Sequence, residues 1–111
     1  MIKADFLSYR NGMFFGFIIS GHANTGRYGH DILCAGVSSS VMLTINTITR
    51  QLGLKSKKKT IDNKIGFKIL NPDENGSKII EALIEHLRAL DIGYNKIRIK
   101  FIVASAEKGQ L

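Results

Sequence analysis

Six apolar positions, Cys34, Val37, Val41, Ile45, Ile48 and Leu52, fall three or four residues apart. This spacing lines one face of an α-helix of about five turns. Asp31 just before the run is a natural N-cap, and Gly53 just after it is a natural stop. A helix with one long apolar face needs a partner layer. The rest of the chain supplies strands for that layer.

Ile2, Ala4 and Phe6 alternate with Lys3 and Asp5, which is the period of a half-buried strand. Asn11-Gly12 favours a two-residue hairpin with positive φ at both positions. Met13–Ser20 is apolar nearly throughout and reads as a buried central strand. A second hairpin is expected at Asp62-Asn63, with Ile65, Phe67 and Ile69 on one side of its return strand. Residues 71–77 (NPDENGS) have the composition of a loop. Lys78–Leu90 is helical, with Ile79, Ile80, Leu83, Ile84, Leu87 and Leu90 inward. Lys96–Val103 alternates again and sends Arg98 and Lys100 to the side away from the core. The order is ββαββαβ. The expectation is one α+β domain over residues 1–111, with a mixed, mostly antiparallel sheet of about five strands and both helices on one face.

A chain of 111 residues can bury a core without staples. Its single cysteine excludes an internal disulfide and fits a reducing compartment. The N-terminus lacks the apolar core of a signal peptide. The apolar run Met13–Ile19 is far short of the roughly 20 residues that span a bilayer. A cytoplasmic protein without membrane attachment is expected. The formal charge of +7 favours acidic partners such as nucleic acid.

Chemistry concentrates between Gly21 and Ser38. The stretch Gly21–His30 (GHANTGRYGH) carries three glycines and two histidines. It is expected to be a mobile loop, with Gly26, Gly29 and His30 in it. If Asp31 caps the helix, Cys34 is its third residue. There the unpaired N–H groups and the macrodipole favour a thiolate. An imidazole from the loop would acidify the thiol further and return a proton to a leaving amine. The same N–H groups would serve as oxyanion donors. Two other readings stay open on the residues alone. Cys34 also fits a small core side chain. His22, His30 and Cys34 also make an incomplete zinc set.

The segment GHANTGRYGHDILCAGVSSS resembles the signature of the ribosomal-processing cysteine protease family (Prp). The matching residues are Gly21, His22, Ala23, Gly29, Asp31, Ile32, Cys34, Ala35 and Ser38. The resemblance implies a dyad protease with Cys34 as nucleophile and His22 as base and acid, without metal or cofactor. Gly21, Asp31, Ala35 and Ser38 would be supporting residues. Gly26 and Gly29 would let the loop close over bound peptide. The implied substrate is a large-subunit ribosomal protein precursor, from which a short N-terminal extension is removed. Aromatic residues precede the cleaved bond, which implies an apolar groove beside Cys34. The resemblance also implies a homodimer and is compatible with ribosome contact.

A noncatalytic ribosome- or RNA-binding module is the alternative. It would present Lys57–Lys59, Lys96, Arg98 and Lys100 to phosphate and would give His22 and Cys34 no role.

Overall fold

The computed structural model describes residues 1–21 and 28–104, with residues 28–31 through their backbone only. The elements are β1 (Ile2–Ser8), β2 (Phe14–Ser20), α1 (Tyr28–Asn46), β3 (Ser56–Ile61), β4 (Lys64–Ile69), α2 (Glu74–Leu90) and β5 (Ile97–Val103). A π-helical turn, Thr47–Gln51, continues α1. The strands form one sheet in the order β3-β4-β2-β1-β5. Three neighbouring pairs are antiparallel, and β1–β5 is parallel. The expected element order, the central place of β2 and the mixed sheet are all found.

The core lies on one face of the sheet. Ala4, Phe6, Phe17, Ile19, Phe67 and Ile69 point from the strands toward Leu33, Val37, Val41, Ile45 and Ile48 of the first helical segment. Ile80, Leu83, Ile84 and Leu87 of α2 complete it. Gly36 lies where the helices meet: a Cβ there would touch both methyl groups of Leu90 at 3.4 Å. The window Ile32–Gln51 is long and apolar enough to cross a membrane by composition, a length the Met13–Ile19 run does not reveal. In this fold its apolar stripe is spent on the sheet. Its hydroxyls are satisfied inside the helix: Ser40 donates to the carbonyl of Gly36, Thr44 to Ser40, Thr47 to Leu43 and Thr49 to Ile45.

Three local expectations are corrected. The first hairpin has positive φ only at Gly12. The Gly12 N–H donates to the Tyr9 carbonyl and the Tyr9 N–H to the Met13 carbonyl, so the glycine sits in a bulge after a turn rather than in a two-residue loop.

Helix α2 begins at Glu74, four residues before Lys78. The carboxylate of Asp73 caps it by accepting from the Gly76 N–H at 2.8 Å. The loop-like Asn75, Gly76 and Ser77 are helical because tertiary contacts use them. A Cβ on Gly76 would come within 2.9 Å of Leu54 and 3.0 Å of Ile69. The buried Ser77 hydroxyl accepts the Phe14 N–H at 2.9 Å.

Helix α1 begins at Tyr28, three residues before Asp31. Asp31 is therefore inside the first turn, where the dipole favours a carboxylate, and is not the cap. Gly29 and His30 have helical backbone, so the expected loop ends before them. A single glycine costs a helix only about 1 kcal/mol, which the following turns outweigh.

Candidate active site

The path to Cys34 starts at Gly21, which ends β2 with φ +81°. A Cβ at this position would lie 2.5 Å from the Met1 carbonyl oxygen. Both the left-handed backbone and the close approach require glycine. Gly21 thus fixes the direction in which the chain leaves the sheet toward His22. His22, Ala23 and Gly26 lie outside the described residues, and the geometry of a His22–Cys34 pair lies outside them too.

Cys34 is half-buried at the margin of the core. It is the seventh residue of α1, near the end of the second turn. The dipole effect falls off within the first turn, and the N–H groups without helical partners belong to the residues around Tyr28–His30. The helix start therefore supports a thiolate less than a third-residue placement implies. A neighbouring cation becomes the larger expected source of acidity. The backbone N–H of a residue this far in is committed to the helical ladder, so oxyanion donors have to come from elsewhere.

Val37, Ser38 and Val41 follow Cys34 on the same stripe. Together with the β3–β4 hairpin they bound a cleft of about 170 Å³. Its floor is Ile19, Val37, Val41 and Ile65, and its rim is Ser38, Met42, Thr60 and the Asp62–Lys64 turn. Side chains on a helix lean toward its N-terminus, so Ser38 leans toward the turn that carries Cys34. Ala35 is exposed, as is Ile32, and is not among the residues that line this cleft. Of the supporting residues, Ser38 therefore shares the cleft with the Cys34 stripe, and Ala35 does not.

The rim residues Thr60, Asp62, Asn63 and Lys64 carry no signal as site residues in the sequence. The hairpin itself is legible, but its position over α1 depends on β4 pairing with β2. A larger recess of about 300 Å³ lies between α1 and α2, lined by Leu43, Thr44, Thr47, Ile79 and the exposed His86. Its nearest lining residue on α1 is Ser40, six residues beyond Cys34 along the helix. Among the described residues, no three His, Cys, Asp or Glu side chains gather as a metal site.

The sequence matches the protein family described as Cysteine protease Prp over residues 1–100, from before β1 into β5. It is 33% identical over 108 residues to the ribosomal processing cysteine protease Prp of Staphylococcus aureus, covering 91% of this chain and 99% of the relative. The structure is similar to that of the S. aureus protease in complex with a substrate peptide. That match has a TM-score of 0.79 and 26% identity, and covers 92% of this chain and 100% of the other. It is equally similar, at 28% identity and the same coverage, to the S. aureus protease with a covalently linked product peptide. A family match across nearly the whole fold, joined to relatives this similar, means that the chain belongs to the Prp family and is a cysteine protease.

Proposed function

We propose that the protein removes a short N-terminal extension from a large-subunit ribosomal protein, with Cys34 as nucleophile and His22 as general base and acid. The observation that carries this reading is the position of the only cysteine, half-buried one helical turn before Ser38, which lines an apolar cleft. The Cys34 thiolate attacks the scissile carbonyl, and the C–N bond breaks as the His22 imidazolium gives its proton to the leaving amine. A thioester to Cys34 remains. His22, now neutral, takes a proton from water, whose oxygen attacks the thioester. The carboxylic acid leaves and the proton returns to the dyad. That an S. aureus relative has been captured with a covalently linked product peptide is consistent with this covalent route.

The cleft suits a peptide lying along α1. A cavity of about 150 Å³ accepts a benzene ring, so the cleft of about 170 Å³ has room for one aromatic side chain. In this reading an aromatic residue before the cleaved bond rests on Val37, Val41 and Ile65, and Ser38 and the Asp62–Lys64 turn meet the peptide backbone. Asp31 supports His22, and the loop containing Gly26 closes over the peptide. The enzyme is proposed to act in the cytoplasm as a homodimer, in contact with ribosomal particles. The apolar side chains that α1 leaves exposed, Ile32, Met42 and Leu43, suit a second copy of the chain.

The test is cleavage of a peptide spanning the extension of the cognate ribosomal protein. Cys34→Ala and His22→Ala are each expected to abolish cleavage without lowering thermal stability. Val41→Trp, which fills the cleft, is expected to raise KM. Full cleavage by Cys34→Ala would overturn the assignment.

A further inference from the structure

The face of the sheet turned away from the helices is a second surface with a chemistry of its own. The strand registers place its residues in three rungs. One runs Lys57, Lys68, Gly16, Leu7 and Ile102 across the five strands. The next runs Lys59, Gly66, Ile18, Asp5 and Lys100. In the third, Ile61 pairs with Lys64 on one side of the sheet, and Ser20, Lys3 and Arg98 follow on the other. Seven cationic side chains therefore share this face with one carboxylate, a net +6 of the whole chain's formal +7. Six of the seven are exposed, and Lys68 is half-buried.

The distribution of these charges is not that of a face that merely needs wetting. Lys57 pairs directly with Lys68, and Lys3 directly with Arg98. Like charges directly opposite each other oppose folding. Only Asp5 with Lys100 is a complementary pair. Two basic flanks, on β3–β4 and on β1–β5, border a middle of Gly16, Gly66, Ile18 and Leu7. At about 4.8 Å per strand, the outer strands stand roughly 19 Å apart. The rungs hold no aromatic ring on which a base could stack.

We infer that this open face binds the phosphate backbone of double-helical RNA, independently of base sequence. A broad array of cations without stacking rings reads backbone and shape rather than unpaired bases. A bilayer surface would instead call for a continuous apolar patch to insert, and Ile61 and Ile102 lie on opposite edge strands. The choice of RNA among polyanions draws on the ribosomal substrate proposed above, whereas the charge geometry does not. The surface meets the proposed protease site only at Lys64, on the hairpin tip, which also borders the cleft; the cleft itself opens on the helical side of the sheet.

The test is fluorescence anisotropy of a labelled RNA hairpin with the full chain, over a salt series. The protein is expected to bind, with an affinity that falls steeply with salt. The fourfold variant Lys57→Gln, Lys59→Gln, Arg98→Gln and Lys100→Gln is expected to bind at least about tenfold more weakly at 0.1 M salt. Its log–log salt slope is expected to be smaller by about three, at roughly 0.7–0.9 for each phosphate that is no longer neutralised. The control Arg50→Gln with Lys78→Gln, outside this face, is expected to stay within about twofold. Lys59→Gln alone, on the exposed edge strand, is expected to lower the slope by about one and tests the inference even if the fourfold variant unfolds. Three results overturn the inference: no RNA binding at low salt, equal weakening by the control, or tighter binding to phosphatidylserine–phosphatidylcholine vesicles than to RNA. Cleavage of a short peptide is measured on the same variants and is expected to be unchanged. Failure of RNA binding with cleavage intact would leave the protease assignment standing.

Discussion

The two helices pack on the same sheet face but are built for different ends. Helix α2 is one-sided. Its buried Ile80, Leu83, Ile84 and Leu87 face the core, while Glu81, Glu85 and Arg88 face solvent. It starts at a side-chain cap and ends where the Asp91 carboxylate accepts the Lys96 and Ile97 N–H groups. Helix α1 is apolar on more than its core stripe. It leaves Ile32, Met42 and Leu43 exposed, holds Cys34 half-buried and finishes in a π-helical turn. Beyond its first turn, α2 satisfies the local rules, as suits a scaffold. Local rules broken mark the element that carries function.

Truncations should separate the two helices most strongly. Leu87→Ala empties a fully buried position and is expected to lower stability by about 2–5 kcal/mol in denaturant titration. Leu43→Ala on α1 is expected to change it by less than about 0.5 kcal/mol. A large loss from Leu43→Ala would make α1 a scaffold too and dissolve the contrast.

Gly21→Ala tests how α1 is approached. The left-handed backbone alone costs about 1–2 kcal/mol for a residue with a Cβ, and crowding against the Met1 carbonyl adds to it. Peptide cleavage is expected to fall more than thermal stability, because the displaced chain leads directly into His22. A parallel fall in both would reduce Gly21 to a structural residue. Asp73→Ala removes the α2 cap and is expected to cost about 1 kcal/mol in thermal unfolding, with KM and kcat unchanged.

The smallest effect lies outside both helices. Burial of Tyr9, stacked on Phe15 at a centroid distance of 4.6 Å, pushes its phenol above the usual value near 10. Its folded pKa is raised, so its contribution to stability is intact below pH 10 and lost as pH climbs through the raised value. Tyr9→Phe is expected to flatten alkaline unfolding in this range and to leave the neutral-pH melt nearly unchanged.

The sequence is legible where one rule acts alone. The inward residues of α2, the alternation of β1 and β5 and the Asp62-Asn63 hairpin all follow local periods. Misreadings fall where a local signal meets a tertiary need. Asn75-Gly76-Ser77 has loop composition, yet Gly76 is helical because only a glycine fits beneath Leu54 and Ile69. Asp31 has the chemistry of a cap, yet helical backbone continues through Gly29 to Tyr28. The stripe beginning at Cys34 is visible as a period, but the far wall of its cleft comes from a hairpin some 25–30 residues later. Three of the seven cations of the basic face, Lys3, Arg98 and Lys100, can be read from the alternation of β1 and β5. The other four, on β3 and β4, need the strand order before they join those three on one surface.

The parallel pairing of β1 with β5 joins the first strand to the last. The Ile2 N–H donates to the Lys96 carbonyl, and the neighbouring Met1 carbonyl is the atom against which Gly21 packs. Pairings this distant in sequence close late, because loop-closure entropy opposes them until much of the fold exists. During synthesis, β1 has no β5 to pair with until nearly the whole chain has emerged. The turn that aims the chain at His22 is thus braced by one of the last strands to arrive. Losing β5 is therefore expected to loosen that turn, although the two lie more than seventy residues apart along the chain.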